Sequence, residues 1–184
     1  EALSTEQVTS LEVADLAAFS SAQIRALETA DVAALTQDQV ASLTTAQVAA
    51  LSIAQIQALS TAQVRALEIA DVKALTTAQV AALSTAQVEA LTAQQVAGMT
   101  SAQIVAIEVA DIAALATATV AGLGVVQLQA LTSPQIAALT TAQVSSLTAD
   151  QAVSLSEDQV AVLKTAQVAG LTTANLAALT TAQI

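Results

Sequence analysis

A unit of eight residues recurs without interruption along this 184-residue chain, and that period limits the possible folds more than any other property of it. Aligned from Leu3, the unit reads L-[ST]-T-A-Q-V-A-A, as in Leu43-Thr44-Thr45-Ala46-Gln47-Val48-Ala49-Ala50. Self-similarity at a fixed short period is the signature of stacked repeats, in which each unit buries its apolar side against its neighbours. Two apolar columns run through the array. One is Leu at 3, 11, 27, 35 and onward to Leu179, with Phe19, Met99 and Ile107 as substitutes. The other runs Val8, Leu16, Ile24, Val32 through Ile184, with Ala152 as its weakest member.

The residue before each member of the second column is nearly always Gln, with Asp at 15, 31, 71 and 111, and three residues earlier stands Ser or Thr in most units. The spacing S/T-x-x-Q is a capping box: the hydroxyl accepts the N3 amide proton, and the Gln side chain returns to the N-cap amide. Every octad therefore reads as the start of a fresh helix. Pro134 agrees, because with Thr132 as N-cap it falls in the first turn, where its missing N–H costs no helical bond.

One unbroken helix is disfavoured. At 3.6 residues per turn an octad overshoots two turns by about 80°, so the Leu/Val stripe would wind around the helix and no single partner would cover it. The period instead predicts an all-α solenoid or superhelix of very short capped helices, one per eight-residue repeat, each of roughly five to six residues. Val48 and Leu51 are expected to share a face of such a helix. Small residues precede the Leu column almost throughout, Gly98, Gly122 and Gly170 among them, which predicts close approach between successive turns. A β-solenoid is the alternative, since Val, Thr and Ile favour strands. Against it, inward spacings of three and five place successive large residues on opposite faces of a strand, and the chain has only four Gly and one Pro for corners. On this reading residues 1–184 form one continuous solenoid, expected to be a fragment of a longer array.

Composition then narrows function. The chain carries 4 Lys+Arg against 15 Asp+Glu, a net charge of −11, which disfavours nucleic acid as a partner because no phosphate counterions would be released. Mean hydropathy is +0.68, yet Gln, Thr, Ser or Asp returns every few positions, so membrane insertion is not expected. His and Cys are absent, so no catalytic triad, histidine-spaced metal site or thiol chemistry can be assembled. The sequence therefore predicts no enzyme, no cofactor, and no catalytic, cofactor-binding or metal-binding residues.

The one constellation resembling a site is the set of pairs Glu12/Asp15, Glu28/Asp31, Glu68/Asp71 and Glu108/Asp111, the last three spaced by forty residues. Aligned carboxylates on one face would offer weak cation binding, calcium being the natural ligand. The competing reading is local capping, with Asp at N3 favoured by the helix N-terminus. Arg25, Arg65, Lys73 and Lys164 read as solvated residues beside the apolar columns, with Arg25–Glu28 and Arg65–Glu68 as candidate ion pairs. The stretch from Ala116 to Val126 is the least regular, with Thr119 in the Gln column and Ala116 and Gly124 in place of caps.

Runs such as Ala74-Leu75-Thr76-Thr77-Ala78-Gln79-Val80-Ala81-Ala82-Leu83 resemble the "ALTTAQ" octad arrays of very long repetitive surface or secreted proteins of proteobacteria, often labelled adhesin-like or haem-utilisation proteins. The resemblance covers essentially the whole chain and carries no functional residues with it. It implies a bacterial protein located outside the cell or at its surface. Together with the repeat, it leads to the expectation of an extended structural spacer or filament segment, self-associating or stacking end to end. An adhesin-like module for protein, glycan or cations is the alternative.

Overall fold

A computed structural model describes residues 4–184. Leu3, the first member of the Leu column, lies outside the described residues. Those residues form twenty-one α-helices and one 3-10 helix, Val109–Ala114, of five or six residues each. No strand occurs among them, so the β-solenoid alternative falls and the all-α solenoid of short helices stands.

The helix Thr45–Ala50 illustrates how the octad folds. Thr44, in extended conformation (φ −74°, ψ 154°), is its N-cap. The Gln47 N–H donates to Thr44 Oγ1 at 3.3 Å, and the Thr44 N–H donates to Gln47 Oε1 at 2.7 Å, closing the predicted box. The helix stops at Leu51, whose backbone is extended (φ −56°, ψ 136°) and whose N–H donates to Val48 O at 3.2 Å. Val48 and Leu51 thus do not share a helix, contrary to the sequence expectation. Leu51 is the first of two extended residues that turn the chain, and Ser52 is both the second and the next cap. No described residue needs a positive φ to make this corner, which is why a chain of corners carries so little glycine.

The chain divides into two compact units, Glu1–Leu91 and Thr92–Ile184. Within the first, helices pack on those three octads later: Ser21–Ala26 on Thr45–Ala50, Thr29–Ala34 on Ile53–Ala58, Gln37–Ala41 on Thr61–Ala66. The second repeats the scheme, with Ser101–Ala106 on Val125–Ala130 and Ala149–Ser154 on Thr173–Ala178. Both apolar columns point inward and, from Leu35 to Leu155, are almost wholly buried: Val48, Ile56, Val120 and Ile136 expose nothing, and Leu51, Leu59, Leu131 and Leu139 expose 4% each. Near the C-terminal side the cover thins, and Val168 and Leu176 are 42% and 44% exposed.

The small column does mark close approach. A Cβ placed on Gly170 would lie 2.5 Å from Thr141 Cγ2 and 3.3 Å from Thr141 O, at the start of a helix three octads earlier. At Gly122 the added atom would meet Ala93 Cβ at an ordinary 3.8 Å.

Candidate functional site

The polar feature that recurs inside both units is a ladder of buried glutamines. In the box, Oε1 of each Gln accepts from its own N-cap. That leaves a two-donor Nε2 beneath the surface, where an unpaired donor costs about 1–3 kcal/mol. The ladder resolves this by reaching back one turn of the coil. Gln55 Nε2 donates to Ile24 O at 3.0 Å and Leu27 O at 2.8 Å. Gln63 Nε2 donates to Val32 O and Leu35 O at 2.9 and 2.8 Å. In the second unit Gln135 repeats this on Ile104 and Ile107, and Gln159 on Leu128 and Leu131.

The acceptors stand 31 and 28 residues before the donor, so one turn takes between three and four octads. One acceptor, such as Leu35 O, is the carbonyl of the extended exit, a group that the helix leaves without an internal donor; the other, such as Val32 O, lies in the last turn and also accepts the Leu35 N–H at 3.3 Å. One side chain therefore closes the start of its own helix and the end of another. Gln39, Gln47, Gln55 and Gln63 expose at most 2% of their surface. No buried side-chain nitrogen or oxygen among the described residues lacks a hydrogen-bond partner. Asn175 makes a shorter rung, its Nδ2 donating to Leu147 O at 2.9 Å.

The acidic pairs do not form a ladder of aligned carboxylates. In each of the last three the Asp is buried, at 3% for Asp31 and Asp71 and 5% for Asp111, while Glu28, Glu68 and Glu108 are exposed. The capping reading holds for half of the box: the Glu28 N–H donates to Asp31 Oδ2, and the Glu68 N–H to Asp71 Oδ2, both at 3.3 Å. Thr5 Oγ1 also donates to Asp31 Oδ1 at 3.2 Å. Asp15 is exposed. Burial pushes the Asp71 carboxyl up to about 6; the Glu68 N–H bond opposes this, and the Glu68 charge adds to it. Among the described residues no group of three or more Asp, Glu, His or Cys side chains comes together in a way that would hold a metal ion.

Arg25, Arg65 and Lys73 are exposed as expected, but Arg25 forms no ion pair with Glu28 among the described residues. Lys164 departs from its predicted place. It stands in the cap column rather than beside the apolar columns, and its N–H donates to Gln167 Oε1 at 2.6 Å, so that half of the box survives where the side chain cannot accept. Gly124 does the same with Gln127 Oε1 at 2.9 Å. At Ala116 no side chain caps the helix, and Thr119 is buried in the Gln column.

The described surface carries several depressions, one of about 480 Å³ being lined by Val153, Leu155, Ser156, Glu157, Asp158, Thr180 and Gln183. One of about 350 Å³, lined by Val160, Leu163, Val168, Leu171, Leu176 and Leu179 among others, is the uncovered aliphatic side of the last turns. Another of about 270 Å³ is lined by Gln37, Thr61, Ala62 and Arg65. None of the described helices is long and apolar enough to cross a membrane.

The family model for the ALTTAQ repeat matches residues 8–45, 41–69, 64–101 and 104–141, more than two thirds of the chain. The chain belongs to the ALTTAQ repeat family. Three of the four matches open on the second apolar column, at Val8, Val64 and Ile104, so the ALTTAQ period is the same octad that forms cap, helix and extended exit here. No curated protein matches the chain. The ALTTAQ fold is thus a repetitive all-α solenoid of the kind a structural scaffold uses.

Proposed function

We propose that the chain is an extended spacer segment of an extracellular or cell-surface bacterial protein, self-associating with like repeats and performing no catalysis. The observation that carries this reading is where the polar groups are used. Buried glutamines hold their own helix N-terminus and carbonyls one turn back, and Asp31 and Asp71 cap their own helices. The buried amide side chains are thus engaged in joining repeat to repeat. Cap-bonded aspartates also favour a spacer over a cation-dependent binding module, which would present its carboxylates outward. Nearest-neighbour stacking lets such an array be lengthened without a change of plan, the property required of a spacer.

Small-angle scattering and electron microscopy test the proposal, on this chain and on a tandem of two copies. A spacer gives a particle whose longest dimension grows in proportion to the number of octads, with its cross-section unchanged. A tandem that instead collapses into two globular bodies of unrelated orientation overturns it.

A further inference from the structure

Asp71 occupies the glutamine column of the helix Ile69–Ala74 and is 3% exposed, yet it lacks the Nε2 that makes every glutamine rung. Its neighbours on either side define what is missing. Gln63 donates to Leu35 O at 2.8 Å and Gln79 donates to Leu51 O at 2.7 Å, each 28 residues back. The carbonyl 28 residues before Asp71 is that of Leu43, itself 5% exposed.

A side chain of aspartate length can span this gap. Asn175 is one methylene shorter than Gln and isosteric with a neutral aspartic acid, and its Nδ2 reaches Leu147 O, 28 residues back, at 2.9 Å. Its lesson for Asp71 depends on protonation. An ionised carboxylate has only acceptor oxygens and would face another acceptor, whereas a carboxylic acid carries one O–H donor. Oδ2 of Asp71 is already used by the Glu68 N–H at 3.3 Å, which leaves Oδ1 to carry the proton toward the carbonyl.

We propose that Asp71 is a proton-operated rung: with its Oδ1 protonated it donates to Leu43 O as Asn175 donates to Leu147 O, and on losing that proton it opens this one joint of the solenoid. The groups around it suit such a switch. The packed helix Thr45–Ala50 carries no titratable residue, and Gln37–Ala41, which leads into Leu43, carries Asp38. On its own helix and cap stand Lys73 and Glu68, and Arg65 lies on the preceding helix. Burial raises the Asp71 carboxyl from 3.8 to about 6, so the proton is held into mildly acidic conditions.

The sign follows from that direction. A carboxyl that binds its proton more tightly when folded stabilises the fold fully below about pH 4, and the stabilisation is gone above about pH 6. The test follows melting temperature from pH 4 to 7 for the full chain, Asp71→Asn, and Asp15→Asn as a control for loss of one exposed charge. It is paired with carbon NMR of the Asp71 carboxyl and the Leu43 carbonyl in the unaltered chain. The expected result is a fall in melting temperature between pH 4 and 6 that is reduced in Asp71→Asn and retained in Asp15→Asn. The Leu43 carbonyl shift should move in step with an Asp71 titration near 6. An Asp71 that titrates near 3.8, a Leu43 shift that ignores it, or an Asp71→Asn profile parallel to that of the unaltered chain overturns the proposal. None of these readouts depends on the spacer assignment.

Discussion

Gln63 Nε2 lies 2.8 Å from the carbonyl oxygen of Leu35, while Oε1 of the same side chain accepts the N–H of Ser60 at 2.7 Å. One amide therefore fastens a helix start to a helix exit 28 residues away, both ends of the bond sealed from solvent. A five- or six-residue helix has no independent stability, so such cross-turn bonds and the aliphatic columns must supply it together.

Replacing Gln63 with Ala removes the box bond to Ser60 and the two donors to Val32 and Leu35. With net values near 1 kcal/mol per bond and a penalty for the Leu35 carbonyl left dry, the loss should be about 2–4 kcal/mol. Gln7 is exposed and closes its box with Ser4, so Gln7→Ala should cost only about 1 kcal/mol, as caps do. Denaturant titration of the two variants checks the difference, and equal losses would mean that the rungs add nothing.

How far this construction could be read from the sequence differs between its parts. The capping box needs only local spacing, so the helix starts at Thr44, Ser60 and Thr132 were legible, and so was Pro134 inside the first turn. The rung was not, since the distance from Gln63 to Leu35 is set by the pitch of the coil and no local pattern encodes it. One signal did point to it. A capping box accepts Glu as readily as Gln at N3, yet the column from Gln7 to Gln183 contains no Glu. The acids that do stand there, Asp15, Asp31, Asp71 and Asp111, are the shorter Asp, so the column prefers a side chain that donates as well as accepts without requiring one. Leu51 was misplaced for the related reason that a spacing of three fits a helix face and a helix exit alike.

Leu75 is 5% exposed at the exit of the helix Ile69–Ala74. Leu75→Asp would place an uncompensated carboxylate in the aliphatic column, and a loss of about 4 kcal/mol or more is expected at neutral pH, with reduced helical circular dichroism. An unchanged spectrum and melting curve would contradict the burial of this column.

Calcium should leave melting unaltered, because Asp31 and Asp71 are bonded at their helix starts and Glu28, Glu68 and Glu108 are exposed to solvent, apart from the buried Asp of each pair. A ligand at one hundred times its dissociation constant would stabilise the fold by about 2.7 kcal/mol. Scans with millimolar calcium and with a chelator should superimpose. A saturable upward shift would restore the acidic pairs as a cation site.

Gly170 tests the small column. In a helix, Gly→Ala ordinarily gains up to about 1 kcal/mol. Here the new Cβ would sit 2.5 Å from Thr141 Cγ2 and 3.3 Å from Thr141 O, so Gly170→Ala should instead lose about 1 kcal/mol. Thr141→Ser removes the first obstacle. The double variant should recover most of the loss in a thermodynamic cycle, and a stabilising Gly170→Ala alone would show that the turns have room to part.

Gly124 offers the opposite outcome, a gain. Its backbone (φ −67°, ψ 153°) already matches the Ser and Thr caps, its N–H donates to Gln127 Oε1 at 2.9 Å, and an added Cβ would meet only Gln127 Oε1, at 3.5 Å. Gly124→Ser supplies the missing acceptor for the Gln127 N–H and lowers the entropy of the unfolded chain, effects that together amount to about 1 kcal/mol. For a chain of this size that is a rise in melting temperature of about 2–4 °C. The same hydroxyl placed at a site with cap geometry but no N3 glutamine, Ala116→Ser before Thr119, restores only the half of the box that the side chain itself makes. Its gain should also be near 1 kcal/mol, since that half is the one cap substitutions measure. If neither variant raises the melting temperature, the octad boundary is being held by the rungs and the aliphatic columns alone, and capping would be a by-product of the sequence rather than a source of stability.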